Sequence, residues 1–414
     1  MYARLSLLGR VTPLLAFTAP VVAATPQDSL AERVAHRYAQ LAQARYQASL
    51  DAAQALVAET VAFLEDPTKE SHEALKRTWL DSHLIYSSTE VFRFGNPNVD
   101  AWEGKVNAWP MDEGLIDYVA DSYVHHEGNP YARANLICLG RMMITDDLIA
   151  EYASGADPKA AATNDITDVE SNVTTGYHAV EFLLWGQDLN EDPMSAGQRP
   201  HTDFVKGEGC THGACDRRGL YLSAATRLLV RDLRFMVFDW TPGRGRYAKT
   251  FAALPVEERL DRAVMGMGSL SYSEVASERL RVALLTSDQE EEQSCFSDTS
   301  LEAIAANLAG IETLYLGLAP DATAMEPAED SVSALVASVD PKLDATLRGQ
   351  LRATTRYAQD LVEDGEPLDR LISADNADGH ARIEALIGLT LEQTVSFEQV
   401  RKRIPEFVAA EARQ

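Results

Sequence analysis

Residues 30–64 read LAERVAHRYAQLAQARYQASLDAAQALVAETVAFL, with apolar residues at Leu30, Val34, Tyr38 and Leu41, then at Leu50, Ala53, Val57, Val61 and Leu64. Steps of three and four place each set on one stripe of an amphipathic helix. The spacing returns in Leu260, Val264 and Met267, in Leu301, Ile304, Leu308 and Ile311, in Leu343, Leu347 and Leu351, and in Ile383, Ile387 and Thr390. Alternating patterns of the strand kind are scarce, so the spacing predicts an all-α protein. Pro, Gly, Asn and Asp cluster at 95–104, 186–219, 241–246 and 318–330, where helices should break. The longest break divides the chain nearly in half. Two helical bundles, 25–205 and 206–414, are the simplest architecture.

The 414 residues carry 63 acidic against 37 basic side chains, a formal charge of −26. Such a polyanion is repelled by nucleic acid and by anionic lipid, which argues against both as partners. The 46% apolar content is too high for a disordered chain. No apolar run beyond residue 24 is long enough to span a bilayer. Residues 1–24, MYARLSLLGRVTPLLAFTAPVVAA, have Arg4 and Arg10 before an apolar stretch and small residues at Val22 and Ala24, the pattern of a secretory signal peptide. Export to the periplasm or cell envelope is the expectation, and it puts the four cysteines in oxidising surroundings. Four cysteines allow three pairings. Cys210 and Cys215, in GEGCTHGACD, are spaced to close a small ring; Cys138 and Cys295 are not assigned.

Polar residues on the apolar stripes are the candidate site. A helix over 71–94 would align Leu75, Trp79, His83, Tyr86 and Glu90 on one face. Trp79 and Tyr86 should point inward and take Glu90 with them. A buried carboxylate needs a cation, either a metal ion or an arginine such as Arg93 or one from another helix. A helix over 170–185 would align Thr174, His178, Glu181 and Trp185. An imidazole and a carboxylate three residues apart can share a metal ion, or can simply bond each other in a core. Gly176, just before them, permits close approach of a backbone or a ligand. In NAWPMDEGLIDYV, Pro110 followed by Asp112 and Glu113 reads as a helix start, or as two carboxylates offered to a ligand. Glu274 and Glu278 extend the Leu260–Met267 stripe with some drift, while Arg227, Arg231 and Arg234 read as a solvated row.

Five segments taken in order resemble the imelysin family: RTWLDSHLIYSSTEVFRFG (77–95), VNAWPMDEGLIDYV (106–119), GYHAVEFLLWGQD (176–188), CTHGACDRRGLYL (210–222) and QEEEQSCFSDTSLEAIAANLAGIETLYLG (289–317). The similarity is greatest to the iron-regulated protein A type of bacterial envelope protein. The family signature GxHxxE is met by Gly176, His178 and Glu181. The resemblance implies two helical bundles with these residues near their interface, and an exported protein associated with bacterial iron acquisition. A peptidase activity also follows the family name. Gln293 and Leu301 stand where that subgroup commonly has histidines, so any help those histidines give a metal is missing here.

Three functions are weighed. Iron binding asks for a carboxylate-rich site with one imidazole, with His178, Glu181 and Glu90 as ligands, zinc as the alternative metal, and an envelope iron-uptake component as partner. Metal-assisted peptide hydrolysis asks for three ligands, an open position and a separate base. The chain has no HExxH, and Glu90, Asp112 or Glu113 would have to complete the set. A metal-free scaffold asks only that His178 and Glu181 bond each other.

Overall fold

The computed structural model describes residues 29–124, 129–138, 171–190, 192, 194–320 and 322–411. The expected signal segment, 1–24, lies outside the described residues. Among those described every regular element is helical and none is a strand.

The long first stretch forms one helix, α1 (Leu30–Glu65), capped by the Ser29 side chain, which accepts from the Glu32 N–H. Its buried face keeps Val34, Tyr38, Leu41, Leu50 and Ala53, but continues through Leu56, Thr60 and Phe63. Val61 is exposed instead. The expected stripe slips by one position from Leu56 onward, and the true face also holds two polar residues, Arg45 and Thr60, the latter donating its hydroxyl to the Leu56 carbonyl. The Arg45 guanidinium donates to the carbonyls of Gly310 (2.9 Å) and Ser88 (3.1 Å) and to Thr313 (2.7 Å). It joins α1 to two other parts of the fold.

A capping box between Thr68 and Ser71 starts α2 (Lys69–Ser87). The expected helix to 94 stops at Ser87, and Glu90–Phe92 form a separate 3₁₀ turn. The Ser87 and Ser88 hydroxyls donate back to the carbonyls of His83 and Ile85, competing with further helix. After α3 (Pro97–Glu103) the segment at Pro110 makes no α-helix, only a 3₁₀ turn at Glu113–Leu115. There the Asp112 side chain is used by Asn129 (2.5 Å), Ser171 (2.6 Å) and Tyr123 (3.0 Å) rather than as a cap.

Next comes α4 (Tyr177–Trp185), every residue of which is buried. It begins seven residues later than expected. The sequence then runs through a disulfide, Cys210–Cys215, into α5 (Cys215–Asp239), with Arg227, Arg231 and Arg234 exposed along it. Cys138 and Cys295 are free thiols. Then follow α6 (Arg246–Ala252) and α7 (Val256–Ser269), and α7 passes into a wider π-helical stretch, Leu270–Arg281. The remaining helices are α8 (Val282–Thr286), α9 (Ser300–Tyr315), α10 (Val332–Ala337), α11 (Pro341–Asp364), α12 (Leu368–Ile372), α13 (Ala377–Lys402) and α14 (Ile404–Glu411).

In space α1 lies between α2 and α5, and α9, α11 and α13 pack in succession, with α13 also against α7 and the π-helical stretch. The two groups meet where α9 packs on α2 and where α7 packs on α1. Both sides of the 205/206 boundary contribute to one hydrophobic core. The short helix α4 packs against α2 and α5.

Candidate metal centre

The GxHxxE segment is shaped by its glycine. Gly176 has φ +93°, a conformation that L side chains rarely adopt, and an added Cβ would sit 2.7 Å from the Val106 carbonyl oxygen. That carbonyl accepts the Tyr177 N–H at 2.7 Å, which turns the chain sharply into α4. Thr174 precedes the turn, so it is not on the helical face with His178. Its carbonyl instead accepts the Tyr221 hydroxyl.

His178 and Glu181, one turn apart on α4, are buried, with Nδ1 2.8 Å from Oε2. The other Glu181 oxygen accepts the Ser297 N–H (3.0 Å) and hydroxyl (2.6 Å). Glu181 is therefore saturated, whereas His178 Nε2 is buried without a partner. Burial pushes Glu181 up to about 8 and His178 down to about 3. The imidazole is neutral at physiological pH. When Glu181 is ionised, its Oε2 accepts from Nδ1–H and leaves Nε2 as a bare lone pair, the arrangement by which carboxylates orient metal-binding histidines. A protonated Glu181 donates to Nδ1 instead, so metal binding at Nε2 requires Glu181 to lose its proton.

A second imidazole stands beside it. The His83 and His178 rings meet edge to face with centroids 5.2 Å apart, boxed by Trp79 and Tyr177. Asn107 donates its amide N–H to Glu90 (2.9 Å), so its Oδ1 faces His83 Nε2 at 3.2 Å and must accept from it. His83 then carries its proton on Nε2, and its Nδ1 is a second buried nitrogen without a partner. Glu90 ends the line and meets Arg279, whose Nη2 lies 2.5 Å from Oε2. Arg279 also donates to Asn307 at 2.6 Å. An arginine from a distant helix is thus the cation that the buried Glu90 needed.

The π-helical winding is what aims Arg279. Buried residues there fall in pairs, Leu270 with Ser271, Val275 with Ala276 and Arg279 with Leu280, the first two pairs five residues apart, a wider step than the α-helical turn. This winding carries Glu278 out to solvent, away from the stripe expected for it, and leaves Glu274 at the edge, between Arg279 (3.3 Å) and Arg93 (3.4 Å). Glu103 joins the group through Arg93 at 3.7 Å, and burial pushes its carboxyl up to about 7. Trp79 and Tyr86 are buried as expected, the Trp79 indole donating to the Tyr177 carbonyl.

Asp112 and Glu113 are buried in a different place. They line a cavity of about 190 Å³ with Trp109, Tyr123, Glu290 and Cys295. Cys295, on the cavity wall, is two residues from Ser297, which donates to Glu181. The structure brings together His178, Glu181, Gly176, Trp79 and Tyr86, links Glu90 to them through Asn107 and His83, and leaves Glu278 outside. Ser297, Asn107 and Arg279 were not singled out by the sequence.

A further buried network pins this region. Asp117 bridges Arg199 (2.7 Å) and Arg218 (2.6 Å), and Asp203 reaches Arg199 at 3.2 Å. Two carboxylates balance two guanidiniums there, so the network is self-contained.

This all-α architecture with a buried GxHxxE helix at its centre matches a known family. The imelysin family model (Peptidase_M75) matches residues 42–397, and the chain belongs to that family. Among solved structures the fold is similar to an iron-regulated protein A precursor from Parabacteroides distasonis, at 16% identity and a TM-score of 0.66, covering 92% of this chain and 97% of that one. It is also similar to an imelysin-like protein from Psychrobacter arcticus, at 15% identity and a TM-score of 0.53, covering 91% and 95%. No curated protein matches the chain. None of the described helices is long and apolar enough to cross a membrane.

Proposed function

We propose that this imelysin-family protein is exported and binds iron in the periplasm or cell envelope as part of bacterial iron acquisition, delivering it to an uptake component there. The observation that carries the reading is the unpartnered, buried Nε2 of His178 beside the equally unpartnered Nδ1 of His83. Burying a polar nitrogen without a partner costs free energy, and a bound cation repays it. His178 is the ligand, Glu181 the carboxylate that fixes its tautomer, and Glu90 the acidic end of the same polar line. Imidazole with carboxylate suits ferrous iron, with zinc as the competing metal. The iron-regulated protein A precursor among the structural neighbours supports the iron assignment.

Two observations favour the scaffold alternative: Arg279 already neutralises Glu90, and Ser297 already occupies Glu181. Isothermal titration of the full chain with ferrous iron under anaerobic conditions separates the readings. One iron per chain in the wild type, weakened roughly 10–100-fold by Glu181→Gln, supports the metal site. No heat of binding, with Glu181→Gln lowering only the melting temperature, makes the pair a strut.

A further inference from the structure

A second group of carboxylates lies on the far side of the Ser297 segment. Asp188, two residues beyond the Gly186 that ends α4, Asp298, and Asp369 on α12 each place a carboxylate oxygen within 4.8 Å of the other two. The three come from separate parts of the chain, so no local motif announces them. Asp188 and Asp369 are each 4% exposed. The side-chain hydrogen-bond neighbour of Asp369 is itself a carboxyl, Glu292, and no N–H or hydroxyl reaches either Asp369 oxygen or Oδ1 of Asp298. The contrast with the Asp117–Asp203 network is direct, because that network contains its own arginines. Here the largest electrostatic neighbours of Asp298 are Asp369, Asp188, Glu181 and Glu302, all carboxyl groups. Fully buried Glu292 also lies against Asp369. Asp188 is held in place by Asn190, whose backbone and side-chain amides donate to its Oδ1 at 3.2 and 2.6 Å.

We propose that Asp188, Asp298 and Asp369 form a binding site for a hard divalent cation of the calcium type, separate from the histidine centre. The donors are all oxygen, with no nitrogen or sulfur, which suits a hard ion. Two oxygens on one ion stand no farther apart than twice the metal–oxygen distance, about 4.6–5.2 Å for calcium and about 4.0–4.2 Å for magnesium. The spread of this cluster accommodates calcium. The ion would tie the end of α4, the loop before α9 and α12 to one another. Asp298 adjoins Ser297, so the ion also steadies the segment that donates to Glu181.

The test uses the full chain stripped with EDTA and returned to calcium chloride at constant ionic strength. The expected result is one calcium per chain by elemental analysis and a saturating rise in melting temperature on the order of 5 °C. Magnesium should give a smaller rise. Asp369→Asn should be at least as stable as the wild type in EDTA, since it removes one of several repelling buried charges, and should lose the calcium response. Asp298→Asn, at a half-buried position, repeats the test should the first variant fold poorly. His178→Ala should keep the full calcium response, so the fate of the iron reading does not decide this one. The proposal is overturned if calcium leaves the wild type unchanged, if both Asn variants respond as the wild type does, or if they lose iron binding while calcium never binds.

Discussion

At the scale of single residues the account rests on groups that burial has forced out of their usual chemistry. Glu181 is the clearest, with a carboxyl raised from 4.5 to about 8. Between those values the folded chain holds a proton that the unfolded chain has released, so stability falls as pH rises through this window. The expected slope from this one group is about 1.4 kcal/mol per pH unit inside that window, and the stabilisation is present in full below pH 4.5 and exhausted above about 8. Urea midpoints of the metal-free protein between pH 5 and 8 should show a shallower slope in Glu181→Gln than in the wild type. An equal slope in both would remove Glu181 from the account. Arg279 makes the opposite case. Arg279→Met strips Glu90 of its cation and should cost roughly 3–5 kcal/mol, the usual penalty for breaking a buried pair. Adding Glu90→Gln should recover a good part of it, a coupling that denaturant unfolding of the single and double variants measures. The need for such a cation was legible in the sequence, since Glu90 shares a stripe with Trp79 and Tyr86. Which cation supplied it was not, because Arg279 is 189 residues away along the chain.

Individual elements show where periodicity succeeds and where it fails. The named positions of α7, α9, α11 and α13 were read directly, because each of them is apolar or, like Thr390, satisfied within its own helix. The stripe of α1 was followed correctly to Ala53 and then lost from Leu56 onward, where the buried face runs through Thr60, since a polar residue on a buried face looks like a solvent position. The π-helical stretch defeats the reading more thoroughly. A reading that assumes α-helical spacing puts Glu278 inward and overlooks Arg279, and the structure has the reverse. The start of α4 was misplaced because Thr174 fits the pattern, while the positive φ of Gly176 terminates it. That glycine yields a prediction. Gly176→Ala must adopt an unfavourable φ and push a methyl against the Val106 carbonyl, neither of which is a flexible side-chain end. The expected cost is about 2–3 kcal/mol, seen as a lower denaturant midpoint. A neutral substitution would mean the turn into α4 is not the constraint described.

Across the whole molecule the fold class followed from spacing alone, and the family from five segments in order. The spatial grouping did not follow, because α5 belongs with α1 and α2 although the sequence places it after the central break. The Cys210–Cys215 ring adds little to the whole. It closes a loop of only five residues, so it removes little unfolded-state entropy. Reduction should shift the thermal midpoint by no more than a few degrees, and a collapse of the fold on reduction would contradict this.

The central claim is that His178 holds the metal. Iron content per chain, measured by elemental analysis after anaerobic loading and desalting, tests it most directly in wild type and His178→Ala side by side. The account predicts one iron in the wild type and none in the variant, with the helical signal retained because the apolar stripes are untouched. Iron-free wild type, or a His178→Ala chain that keeps its iron, would contradict it.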